Sequence, residues 1–145
     1  MKLLLIVGSC LLGICLNANA NNPPPINEAK YAIDENNITV EIADTPYTLE
    51  QGLMFRKHLD KNKGMLLVLP QPQNICVWAR NVEIPLSAAF IDDFGRVINM
   101  VDLEPFSEEK KCANQPVKYI LETNRDWFYE HNITPGSMFR RLYDY

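Results

Sequence analysis

Four side chains stand out as able to grip a ligand: Arg56, Trp78, Arg80 and Asn81. Each arginine is embedded in an apolar motif, Arg56 behind Gly52-Leu53-Met54-Phe55 and Arg80 behind Trp78-Ala79, instead of in a run of charges. A guanidinium so placed has two uses. It can pair with a carboxylate, for which Glu83, Asp92, Glu104 and Glu122 are candidates, and pin two elements together. Alternatively Arg56, Trp78, Arg80 and Asn81 surround one cleft that holds a carboxylate, phosphate or sugar, with the indole as a stacking platform. Taken alone, Trp78 suits a core as well as a platform. Asn81, ahead of Val82-Glu83-Ile84-Pro85, suits a turn as well as a contact.

No catalytic constellation accompanies these residues. His58 lies in a polar connector and His131 at the end of a short helical stretch, where a cation is favoured by the helix dipole. Neither is joined by Gly-x-Ser-x-Gly or a comparable nucleophile motif. Asp92-Asp93-Phe94-Gly95, with Asp102 and Glu104 beyond, offers carboxylates for glycoside cleavage or calcium. The stretch reads better as a hairpin turn, and the Asp-x-Asp-x-Asp-Gly cadence of a calcium loop is missing. Phosphate loops and dinucleotide fingerprints are absent from the sequence. The expectation is no catalytic residue, no metal and no cofactor.

The compartment is legible at the start of the chain. Residues 1–20 carry a positive charge at Lys2, an apolar run over 3–16 and Ala18-Asn19-Ala20, a small-x-small cleavage pattern, and so read as a signal peptide cut after Ala20. An uncleaved anchor is the alternative, but the run is shorter than the roughly 20 residues that span a bilayer. Cleavage removes Cys10 and Cys15 and leaves Cys76 and Cys112, which an oxidising compartment would pair. A bridge over 36 positions would stabilise the fold by roughly 4 kcal/mol. Removing Lys2 with the leader leaves 13 basic against 18 acidic side chains. That acidic balance excludes nucleic acid and anionic lipid as expected partners, since both need a basic face.

The positioning elements follow from periodicity. Residues 21–30, with three consecutive prolines at 23–25, read as an extended leader, and residues 31–145 as one domain. Ile38, Val40 and Ile42 alternate with Thr39, Glu41 and Ala43 as in a half-buried strand. Asp44-Thr45-Pro46 supplies a cap and a first-turn proline for a short helix over 47–56. Strands are expected over 65–69, ended by Pro70, and over 75–78, 86–91, 96–101, 118–122 and 138–143, with a brief helix before His131. Many short strands and two short helices indicate a mainly β fold: a small antiparallel sandwich, jelly-roll-like or barrel-like domain. Gly52 and Gly64 are expected to let the short helix and the buried strand approach, with Met54 and Met65 filling the gap between them.

Several segments occur together in a telling order: Gly52-Leu53-Met54-Phe55-Arg56, Gly64-Met65-Leu66-Leu67, Trp78-Ala79-Arg80-Asn81, Ile84-Pro85-Leu86, Phe90-Ile91, Gly95-Arg96-Val97, Cys112 and Leu121-Glu122. The set resembles the DUF192 (UPF0127) family of bacterial and archaeal proteins, often exported, over residues 38–139. The resemblance implies a mainly β sandwich or jelly-roll domain and no established activity. Ala79, Val82, Ser87 and Ser137 depart from the family pattern, which has methionine, threonine, aspartate and aspartate there. The functional expectation is an exported, non-enzymatic binding or accessory domain of the bacterial envelope, monomeric, whose partner is a small anion, a saccharide or an envelope protein. An envelope hydrolase on the same scaffold, or a structural partner of an envelope complex, is the alternative.

Overall fold

The computed structural model describes residues 27–143; the segment read as a signal peptide and leader residues 21–26 lie outside the described residues. Nine strands and two short helices follow in the order β1 (Glu28–Ile33), β2 (Asn36–Ala43), α1 (Pro46–Gln51), β3 (Lys63–Gln73), β4 (Cys76–Val77), β5 (Leu86–Ile91), β6 (Val97–Leu103), β7 (Lys111–Cys112), β8 (Val117–Asn124), α2 (Trp127–Glu130) and β9 (Phe139–Arg141). Seven strands form one curled sheet in the order β6-β5-β8-β3-β2-β1-β9, and β4 and β7 form a second, small one. The two edges of the large sheet meet at one corner. An Arg96–Met138 bridge and a Phe139 N–H bond to the Gly95 carbonyl, 2.7 Å, join the start of β6 to the β9 edge. The mainly β, barrel-like expectation therefore holds, and the result is a half-barrel.

Every joint of the large sheet is antiparallel except β2–β3, which is parallel because α1 and the connector after it carry the chain back to the same end. Both faces are covered. Leu67, Leu69, Leu86, Phe90 and Ile120 face one core, with Met65 buried and Met54 half-buried among them, as expected of filler. Leu66, Ile91, Leu121, Trp127 and Phe139 face the other. The uninterrupted apolar run at 65–69 thus belongs to a strand with no solvent face.

Four local expectations need correction. β1 starts at Glu28, so the domain takes in the last residues of the segment read as leader. α1 stops at Gln51 instead of reaching Arg56: Gly52, at φ +47°, closes it by donating to the Thr48 carbonyl, while Thr45 and Thr48 cap the other end reciprocally. Pro70 ends pairing but not the strand. Without an N–H it breaks the β3–β8 ladder after Val68–Tyr119, yet its backbone stays extended and pairing returns at Gln73–Val117. Finally, Gly64 serves strand-to-strand and not helix-to-strand contact, because a Cβ there would sit 2.6 Å from the Glu122 carbonyl oxygen on β8.

Candidate functional site

The Arg56 guanidinium is committed to structure. It grips Glu41 with two parallel bonds of 2.8 and 2.5 Å, and Glu41 is buried on β2. That hydrogen-bonded carboxylate raises the guanidinium's pKa further above its ordinary value. The pairing reading is correct for Arg56, although Glu41 was not among the carboxylates named for it. Arg80 also pairs, its Nε donating to Glu108 at 2.8 Å, but this pair is exposed on both sides.

Trp78, Arg80 and Asn81 do share one surface, and Arg56 does not line it. It is a bowl of about 710 Å³ outside the first core, bounded by the Tyr47, Phe55 and Trp78 rings together with Arg80 and Asn81. Tyr47 and Phe55 are 68% and 65% exposed, so two aromatic rings stand at its edge with the indole. Trp78 is neither core nor bare platform. The Arg80 guanidinium lies 5.3 Å and the Lys110 ammonium 5.5 Å from its ring centroid, within cation–π range. Asn81 adopts the left-handed turn conformation, φ +56°, and its carbonyl accepts the N–H of Phe55 at 2.8 Å. Phe55 itself is held at φ +64°, a costly conformation for a bulky side chain, and the pairing with Asn81 keeps its ring in the bowl.

Beneath the bowl, and sharing Met54, Cys76, Trp78 and Arg80 with it, is a cavity of about 130 Å³. Leu67 and Leu69 on β3, Ile120 on β8 and Leu53 and Val82 beneath the covering loops give it aliphatic walls, and Glu50, Gln51 and Arg80 also line it. Glu122 lies among them. On β8 it sits two residues beyond Ile120, paired with Met65 and Ala88 across the neighbouring strands, on the face where an aliphatic side chain would pack. Glu122 is 6% exposed and has no hydrogen bond or ion pair from its carboxyl among the described residues. Burial alone pushes its pKa up from 4.5 to about 7, with no neighbouring charge contributing.

The Cys76–Cys112 disulfide expected from the sequence is present, joining directly opposed residues of β4 and β7, and Cys76 forms part of the cavity wall. The other nominated residues fall elsewhere. His58 pairs with Asp60 on the surface, and His131, just beyond α2, donates from Nδ1 to the Trp127 carbonyl. Asp92 accepts the N–H groups of Phe94 and Arg96 with one oxygen, which makes the acidic stretch the hairpin turn it resembled. Ser87 donates to Asp102 at 2.7 Å, Ser137 accepts the Thr134 N–H, and of the four departures from the family pattern Val82 alone lines the cavity. Among the described residues no His, Cys, Asp or Glu group is arranged to hold a metal ion, and no helix is long and apolar enough to cross a membrane.

What the sequence reading missed at the site is Glu122 as a cavity residue, together with Tyr47 and Phe55. The available signal was an acid inside an apolar strand, Val117 to Thr123, where both faces are otherwise largely hydrophobic.

Solved structures share this fold. No curated protein matches the chain. A crystal structure from Sinorhizobium meliloti 1021, provisionally described as a transcription regulator, is similar over 80% of this chain and 95% of its own, at 26% identity and a TM-score of 0.78. A protein of unknown function from Novosphingobium aromaticivorans DSM 12444 is similar over 79% and 84%, at 28% identity and a TM-score of 0.72. The model of the DUF192 family, described as an uncharacterized ACR, matches residues 29–140, and the chain belongs to that family.

Proposed function

We propose that this protein is an exported, non-enzymatic binding domain of the bacterial envelope, and that its ligand occupies the Glu122 cavity through the aromatic bowl. The observation that carries this reading is Glu122 itself. The residue is 6% exposed, its carboxyl has no protein partner among the described residues, and its oxygens are not sealed off but border the cavity, so an incoming molecule can complete it. The strained Phe55 and the exposed Tyr47 and Trp78 rings around the entrance support the same surface. Export is supported by the leader pattern of residues 1–20 and by the Cys76–Cys112 bond, which persists in oxidising compartments. The regulator description of the Sinorhizobium protein does not carry over on charge grounds, since this chain is net acidic at −4.

The second reading, an envelope hydrolase, draws on the same group, because a carboxyl that titrates near neutrality suits general acid–base work. It lacks a partner: Glu50 also borders the cavity but adds no charge effect at Glu122, so two carboxylates do not converge as glycoside cleavage requires. A thermal-shift screen of the disulfide-bonded protein against sugars, amines, nucleotides and metabolite anions tests the binding reading. The expected result is a compound that raises the Tm of the native protein and fails to do so for Trp78→Ala and Glu122→Gln. Turnover of a glycoside or ester that disappears in Glu122→Gln would replace binding with hydrolysis.

A further inference from the structure

We propose that the Glu122 cavity takes an alkylammonium group, a protonated amine on a short apolar stem carried by a small organic molecule. This rests on the binding reading above and deepens it by fixing the charge of the ligand. The ionised Glu122 carboxylate is an acceptor with no donor from the protein, walled by Leu67, Leu69 and Ile120, so a ligand that binds that form must bring the donor. The ionisable groups that border the cavity are Glu50 from α1, Arg80 from the turn after β4 and Glu122 from β8; β3 adds only leucines. Arg80 is engaged by Glu108, and Arg56, the other guanidinium nominated as an anion grip, is engaged by Glu41 and lies outside the cavity. The base of the cavity is therefore neutral or negative.

An ammonium brought there gains a charge-assisted bond in apolar surroundings, where the attraction is much stronger than in water. A carboxylate or phosphate would meet a like charge or depend on the Glu122 proton. Space agrees with a short stem, since about 130 Å³ approaches the roughly 150 Å³ of an apolar cavity that admits benzene. The sign of the pH effect separates the ligand classes. An ammonium binds the ionised carboxylate and so binds more tightly as pH rises through about 7; an anion binds the protonated form and does the reverse. From pH 6 to pH 8 the ionised fraction climbs from about one tenth to about nine tenths, a change of about tenfold in affinity.

The test is a ¹H–¹⁵N NMR titration of the disulfide-bonded protein with n-butylammonium, 1-butanol and butyrate, three probes of one length, at pH 6 and pH 8. Butylammonium is expected to shift the Trp78 indole and the Gly52 and Glu122 amides, with a Kd about tenfold lower at pH 8, and Glu122→Gln is expected to abolish that pH step. Butyrate or butanol binding as tightly as butylammonium at pH 8, or ammonium binding without a pH step, overturns the ammonium proposal while leaving a ligand cavity in place. If none of the three probes shifts those resonances, the proposal and the binding reading both fall. Should Glu122→Gln not fold, the pH step of the native protein decides alone.

Discussion

Glu122 and Arg56 show how the same two residue types diverge with their surroundings. Arg56 satisfies a buried Glu41, so Arg56→Ala would strand that carboxylate; allowing for the partial exposure of the guanidinium, the expected cost is about 2 kcal/mol in urea unfolding. Arg80→Ala breaks an exposed pair and is expected to cost less than about 0.5 kcal/mol. Glu122 has no partner and holds its proton in the folded state to about pH 7, whereas in the unfolded chain it releases it near 4.5. Its contribution is therefore fully present below pH 4.5 and is lost as pH rises through 7, a loss of about 3 kcal/mol. Denaturation of Glu122→Gln, which cannot ionise, should match the native protein at pH 4.5 and exceed it by about 3 kcal/mol at pH 8. Equal stabilities at both pH values would contradict the assignment. The sequence made Trp78, Arg80 and Asn81 visible because each interrupts an apolar motif. Glu41 was hidden, and Glu122 was visible only as a candidate arginine partner, because strand alternation cannot say which of two faces a later element will cover.

At the scale of elements, the site depends on a covering layer held over the sheet by few contacts. β4 and β7 are two residues each, and the disulfide between them closes a 36-residue separation. Cys76→Ser with Cys112→Ser is expected to lower stability by about 4 kcal/mol, measured by chemical denaturation, with part of the loss in the cavity wall that Cys76 forms. The two glycines of the opening motifs separate cleanly. Gly64→Ala drives a methyl group into a backbone carbonyl 2.6 Å away and is expected to cost about 3 kcal/mol, while Gly52→Ala meets only its positive φ and is expected to cost about 1 kcal/mol. β5 was legible to its last residue because six consecutive buried positions leave no ambiguity. β1 was not, since its outward residues Glu28 and Lys30 blur into the polar leader. The parallel β2–β3 joint was equally opaque, because a crossover decides strand direction and no local pattern encodes it.

For the whole molecule, a sheet covered on both faces in a domain of this size leaves little room for error. The cavity is a place where the covering layer stops short of filling it. The curl that brings the β9 edge to β6 places one core inside the half-barrel, and α1 with β4 and β7 shields the other, with the bowl as the way in. Export of this unit is checked by intact mass spectrometry of the envelope fraction. A chain that begins at Asn21 and is two hydrogens lighter than its reduced form is expected; two free thiols, or a retained leader, would contradict it. The most direct test of the central claim follows the Glu122 side-chain carboxyl by ¹³C NMR across the pH range, alone and with saturating butylammonium. A midpoint near 7 that moves down when the amine binds is the predicted result, and a midpoint near 4.5 that ignores the amine is the contradicting one.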